Sequence, residues 1–277
     1  MTISCNSGGS LGIFVAVGEN GRIITSTDGA TWTDETEAGD GFRGITYGNG
    51  LFVVVGYDGR IMTSPDGATW TDETETGNYF RGITYGNGLF VAVGGSGLIM
   101  TSPDGATWTD ETESGEFEGI GYGNGLFVAV GWGGHIMTSP DGTTWTDESE
   151  TGNYLLDAGF GNGLFVAVGD GGRIITSPDS AIWTDETESG EIFYDITYGN
   201  NMYVVVGGIN SGRIMTSLDG ATWTNETEAG SALKSITYGN GLFVVVGNGG
   251  RIMTSPDGAA WTDETELGDD LESIVFF

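Results

Sequence analysis

Apolar and polar residues alternate in short bursts along the chain, and residues 83–111 contain one full cycle of the pattern. Residues 89–93, Leu-Phe-Val-Ala-Val, are apolar at every position, as expected of a strand buried on both faces. Residues 107–111 alternate and end in charge, which suits an outer edge strand that must resist pairing with neighbours. Asn87-Gly88 separates the first two bursts, and both positions of a type I′ hairpin turn need positive φ. Asp104-Gly105 follows Pro103 before the last burst: proline fixes φ and the Asp side chain bonds nearby backbone. The pattern predicts four short antiparallel strands, over residues 83–85, 89–93, 98–102 and 107–111.

The same cycle recurs seven times, marked by Trp32, Trp70, Trp108, Trp145, Trp183, Trp223 and Trp261 at intervals of 37 to 40 residues. A period this regular means one supersecondary unit copied along the chain. Seven four-stranded units predict an all-β fold, a seven-bladed β-propeller, as a single domain over residues 1–277. Residues 271–277 align with residues 80–85, an inner first strand with no blade after it, whereas the chain enters at residues 12–17 on a second strand. The C-terminal strand is therefore expected to pair into blade one and close the ring. Residues 1–11 are then a leftover tail or a competitor for the same slot. In one turn Ser180 replaces the repeated glycine, which should cost on the order of 1 kcal/mol where φ is positive.

Composition narrows the partners. The net charge is −31, and 27 of the 39 acidic residues belong to the repeated turn and the Asp-Glu-x-Glu tract after each Trp. A field of this sign repels nucleic acid and anionic lipid, and its plain role is solubility. No apolar run is long enough to insert into a membrane, and no signal peptide is visible at the start. With Cys5 the only cysteine, no intrachain disulfide can form. His135 is the only histidine, so a multi-histidine metal site is excluded, and neither a metal nor another cofactor is expected. The arginine opening strand three in five units (Arg22, Arg60, Arg173, Arg213, Arg251) is expected to form blade-to-blade salt bridges. The sequon at Asn225-Glu226-Thr227 is read as an accident of the repeat.

The string Ser64-Pro65-Asp66-Gly67-Ala68-Thr69-Trp70 resembles the Asp-box, or BNR repeat, and full or partial matches recur in all seven units. The resemblance implies a hairpin between the third and fourth strands of a propeller blade, with a structural Asp, Ser and Trp. The Asp-box occurs in sialidases, lectin propellers, a photosystem II assembly factor, and many phage tail and cell-surface proteins, so it specifies fold more than activity.

The copies differ in the blade links and in the turns from strand two to strand three, expected on one face, while the Gly-Asn-Gly and Ser-x-Asp-Gly turns on the other face barely change. The residue opening strand one reads Arg43, Arg81, Glu118, Leu156, Tyr194, Lys234 and Glu272. The turns contribute Tyr57, Asp58, Trp132 and Asp170, with His135 opening strand three, and the links contribute Tyr79 and Tyr154. Loops on a rigid scaffold are where sites are built, and aromatic rings among acids and arginines suit sugar stacking and hydrogen bonding. Drift in unconstrained loops is the alternative. A lone exposed Trp132 favours a site, because it gains nothing for folding. These residues are the candidate ligand-binding set: Arg43, Tyr57, Asp58, Tyr79, Arg81, Glu118, Trp132, His135, Tyr154, Asp170, Tyr194 and Lys234.

A sialidase-like glycosidase would need three converging arginines, a Tyr–Glu nucleophile and an acid. Arg43, Arg81, Glu118, Asp157, Tyr194 and Asp195 supply residue types near the channel mouth, but no third arginine joins on strand one, and the long insertions of sialidases are missing. The expectation is thus a non-enzymatic recognition or structural module of a virion or cell surface, binding a glycan or a partner protein. The alternative is a protein scaffold of the assembly-factor kind.

Overall fold

The computed structural model describes residues 12–74, 77–188, 190–209, 211–226, 230–265 and 268–277. The expected tail, Cys5, Asn210 in one loop and Thr227 of the sequon lie outside the described residues. Seven antiparallel sheets of four strands form the blades of a propeller, each in simple up-and-down order. Blade one is the exception that closes the ring: its inner strand is the C-terminal Leu271–Phe276, paired to Phe14–Gly18 with Phe14 opposite Phe276 and Ala16 opposite Ile274. Ile13 and Phe277 exchange two further backbone bonds, at 2.7 and 3.0 Å.

The second strands are fully buried because each of their faces meets a different blade. Val53 and Val55 of blade two pack with Phe80, Ile83, Phe90 and Ala92 of blade three, while Phe52 and Val54 pack toward Val15, Val17 and Ile23 of blade one. Seven such clusters lie between successive blades, so the hydrophobic core is a ring and not a centre. Each fully buried Val or Phe contributes about 1.5–3 kcal/mol, which is why the sequence holds this strand apolar throughout.

All four strands differ in extent from the expectation, the second only by reaching Gly94. The inner strand is longer, Phe80–Gly86, because Phe80 pairs with Gly94 across an irregularity before Gly82. The third strand starts at Ile99, since Leu98 closes a three-residue turn. The outer strand shrinks to Thr109–Asp110 because the residues before it serve the turn. There the Asp104 carboxylate accepts the N–H groups of Ala106 (3.0 Å) and Thr107 (2.8 Å). Ser102 Oγ accepts the Gly105 N–H at 2.8 Å, and the Trp108 indole donates to Gly105 O at 3.0 Å.

The hairpin turns have the predicted left-handed pair, with Asn87 at φ 49° and Gly88 at 81°. Ser180 also takes positive φ, 64°, and its turn loosens: the bonds to the Asp179 carboxylate lengthen to 3.1 and 3.2 Å. Among the described residues, Arg60 and Arg173 bond main-chain carbonyls and make none of the expected blade-to-blade salt bridges, and Arg251 also donates to a carbonyl. Arg173 donates to Asn153 O at 2.6 Å, Arg251 to Ser231 O at 2.7 Å, and Arg60 to the carbonyls of Ala38 and Asp40. They cap orphan carbonyls of the blade links, where the chain leaves the sheet and its own ladder cannot satisfy them.

Variation is not confined to one face either. Ile182 and Leu218 are 73% and 72% exposed on the otherwise uniform turn face. The backbone there is held by Asp179 whatever side chain follows, so position 182 is free to change.

Candidate functional site

A bulge near the start of each inner strand decides what reaches the central channel. Phe42, Phe80, Phe117, Leu155, Phe193, Leu233 and Leu271 are buried between blades. The residue after each is skipped by the ladder at a register shift, as between Phe42 and Gly44, and is free to turn toward the channel. Arg43, Arg81, Glu118, Leu156, Tyr194, Lys234 and Glu272 all line one cavity of about 430 Å³. The seven variable residues of strand one thus form the rim of a single opening.

The cations of this rim are engaged. Arg43 pairs with Glu272 at 2.8 Å, and Arg81 pairs with Glu118 at 2.9 Å and Glu116 at 3.2 Å. Lys234 Nζ lies 4.2 Å from the centre of the Tyr194 ring. Burial disfavours the Arg43 charge, but Glu272, Tyr57 and Tyr79 together outweigh it and raise the pKa above the ordinary arginine value.

From this rim an arc of rings and guanidinium groups extends outward. Arg43 lies 5.1 Å from the Tyr57 ring, and Tyr57 meets Tyr79 edge-on at 5.0 Å. Arg81 is 5.7 Å from Tyr79 and 5.5 Å from Trp132. Trp132 stacks on Tyr154 at 5.1 Å and 9°, and its indole N–H donates to Glu118. Trp132 is therefore not the lone ring expected from the sequence, since the turn of blade four sits beside the link into blade five. It nonetheless stays 45% exposed, as does Tyr154, with Tyr79 at 39%. Burial pushes the Tyr57 hydroxyl up to about 12, so Tyr57 stays neutral at ordinary pH.

The remaining candidates sit apart. Asp58 is exposed at the left-handed centre of its turn, φ 51°, a conformation that explains why Asn, Ser or Gly stands there in the equivalent three-residue turns. Asp170 is exposed at the start of the equivalent turn in blade five. His135 stacks on the Phe117 ring at 5.1 Å and 18°, and with Glu116, Trp132 and Ser149 lines a shallow pocket outside the channel. Glu19, Asp270 and Glu272 bring carboxylate oxygens within 4.8 Å of one another, with Glu272 engaged by Arg43.

One layer below the rim the channel is two-sided. Blades two to four present Gly44, Gly82 and Gly119, whereas blades five, six, seven and one present Asp157, Asp195, Ser235 and Ser273. Asp195 accepts the Ser235 hydroxyl at 2.6 Å and the N–H groups of Ile196 (2.6 Å) and Ile236 (2.8 Å). Ser235 Oγ in turn accepts the Ile274 N–H at 3.2 Å. Asp157 and Asp195 both reach the Ile196 N–H, at 3.4 and 2.6 Å, and burial together with the Asp195 charge holds the Asp157 carboxyl well above the carboxylate range. Burial raises Asp195 too, against the bonds it accepts from Asp157 and Ser235. The two acids were visible in the sequence as residue types near the channel. Their pairing and the role of Ser235 were not, although the column Gly, Gly, Gly, Asp, Asp, Ser, Ser at this position carries the signal.

No protein-family model matches the chain, and no curated protein matches it in sequence. Solved structures do. YCF48 bound to D1 peptide superposes with a TM-score of 0.64 at 24% identity, covering 83% of this chain and 84% of that one. YCF48 from Cyanidioschyzon merolae gives a TM-score of 0.64 at 16% identity, covering 83% and 88%. The WD40 propeller domain of Doa1 gives 0.70 at 14% identity, covering 84% of both chains. At these identities the likeness is one of fold, and the chain is a seven-bladed β-propeller closed by its C-terminal strand.

Proposed function

We propose that this propeller is a non-enzymatic recognition module that holds an extended segment of a partner protein across its channel-mouth face. The arc Tyr57–Tyr79–Arg81–Trp132–Tyr154 carries the reading: it is continuous, partly exposed and mounted on a rigid frame. Exposed aromatic and arginine side chains are the residue types that dominate protein recognition surfaces. The likeness to YCF48 in complex with a D1 peptide lends support, as an analogy of fold. The proposed setting is a virion or an extracellular surface. Glycoside chemistry is disfavoured because Arg43 and Arg81, which would have to meet a substrate carboxylate, already meet glutamates. Selection of random peptides displayed against the full chain tests the proposal, with a Trp132→Ala counter-screen. Enrichment lost in the variant supports it, and enrichment indifferent to the variant contradicts it.

A second reading, carbohydrate binding on the same face, is favoured by one observation. The exposed Trp132 ring borders a pocket holding Glu116, His135 and Ser149, which suits stacking and hydroxyl recognition. A glycan array including microbial envelope polysaccharides decides it: binding must appear with the wild type and vanish with Trp132→Ala.

A further inference from the structure

We infer that the channel receives a lysine side chain of the bound segment, its ammonium group meeting the Asp157–Asp195 pair. This rests on the protein-segment reading above and names the chemistry of its anchor. The pair lines a cavity of about 430 Å³ that opens through the rim of the candidate face. Gly44, Gly82 and Gly119 line the same cavity without adding side chains to it, each set close against the inner strand of the next blade, and Gly119 lies beside Asp157.

No cation of the chain's own rim serves the pair. Arg43 is held by Glu272, Arg81 by Glu116 and Glu118, and Lys234 lies over Tyr194. Two carboxyl groups that converge on the single Ile196 N–H crowd acceptor oxygens into a low-dielectric wall, where a desolvated ammonium would supply donors and opposite charge. Lysine fits better than arginine. Its unbranched stem can lie along the glycine wall and Leu156, and its compact head offers three donors where a planar fork would need more width. The −31 charge of the chain adds long-range attraction for a basic segment.

The test uses peptides selected on the full chain, resynthesised with each lysine replaced by norleucine, and affinities measured by fluorescence anisotropy. One lysine should prove essential, its replacement weakening binding by about 30-fold or more. Asp157→Asn with Asp195→Asn should abolish that difference between the lysine and norleucine peptides. If that double variant fails to fold, Leu156→Trp serves, since it plugs the opening from the rim and should exclude the lysine peptide. Peptides that bind through the arc with no essential lysine would overturn this inference and leave the proposed function standing. Failure to select any peptide would overturn both.

Discussion

Ser235 donates its hydroxyl to Asp195 at 2.6 Å, while the same oxygen accepts the Ile274 backbone N–H at 3.2 Å. One small side chain therefore joins blade six to the closing strand of blade one through blade seven. Inner strands of a propeller do not ladder with one another, so their N–H groups need side-chain acceptors or water. Asp157, Asp195 and Ser235 supply them at three successive seams, through Ile196, Ile236 and Ile274.

Replacing Ser235 with Ala should destabilise the fold by about 1–3 kcal/mol, because it leaves the Ile274 N–H and one Asp195 oxygen unsatisfied in a buried place. Denaturant unfolding measures this. A change within a few tenths of a kcal/mol would show that the belt contributes nothing to closure.

The carboxyl pair makes stability fall as pH rises. A carboxyl whose folded pKa is raised binds a proton more tightly in the native state, so its stabilisation is complete below the unfolded value and is lost as pH climbs through the folded value. Asp157→Asn keeps a donor toward Asp195 but cannot ionise. Its thermal midpoint should exceed that of the wild type at pH 8 by more than at pH 4, and parallel pH profiles would refute the pairing.

The turn aspartates act in the opposite sense. Backbone donors from Thr144 and Thr143 lower Asp141 to about 2, so its contribution is present above the unfolded value of 3.8 and disappears as pH falls through about 2. Asp141→Ala should be less stable than the wild type at pH 7, with the gap closing near pH 2. A gap independent of pH would assign the loss to something other than the carboxylate.

Ser180→Gly should stabilise the chain by about 1 kcal/mol, since it relieves a non-glycine residue held at positive φ. The change should appear as a higher denaturation midpoint with an unchanged slope. Ser180 Oγ bonds Asp179 O at 2.6 Å, and a destabilised Gly variant would mean that this bond outweighs the strain.

How much of this was legible depends on which residues must meet. The rim from Arg43 to Glu272 could be read directly, because the repeats align it as one variable column at the start of strand one. Ring closure by residues 271–277 was equally plain from the repeat. The Trp132–Tyr154 stack was not, since the two rings come from different blades and their approach depends on how a turn sits beside the next link. Nor was the belt through Ser235: it depends on backbone N–H groups at seams, which the sequence does not display. Arg60 and Arg173 departed from the expectation because a repeated charge suggests an ion pair, whereas the carbonyls they cap belong to the main chain.

The central claim is that the channel-mouth arc holds a protein segment, and peptide affinity across that arc tests it most directly. Selected peptides should bind the wild type and lose about tenfold or more in affinity to Trp132→Ala combined with Tyr154→Ala, as expected for exposed aromatic anchors. Equal affinity for both proteins would place the binding elsewhere and contradict the account.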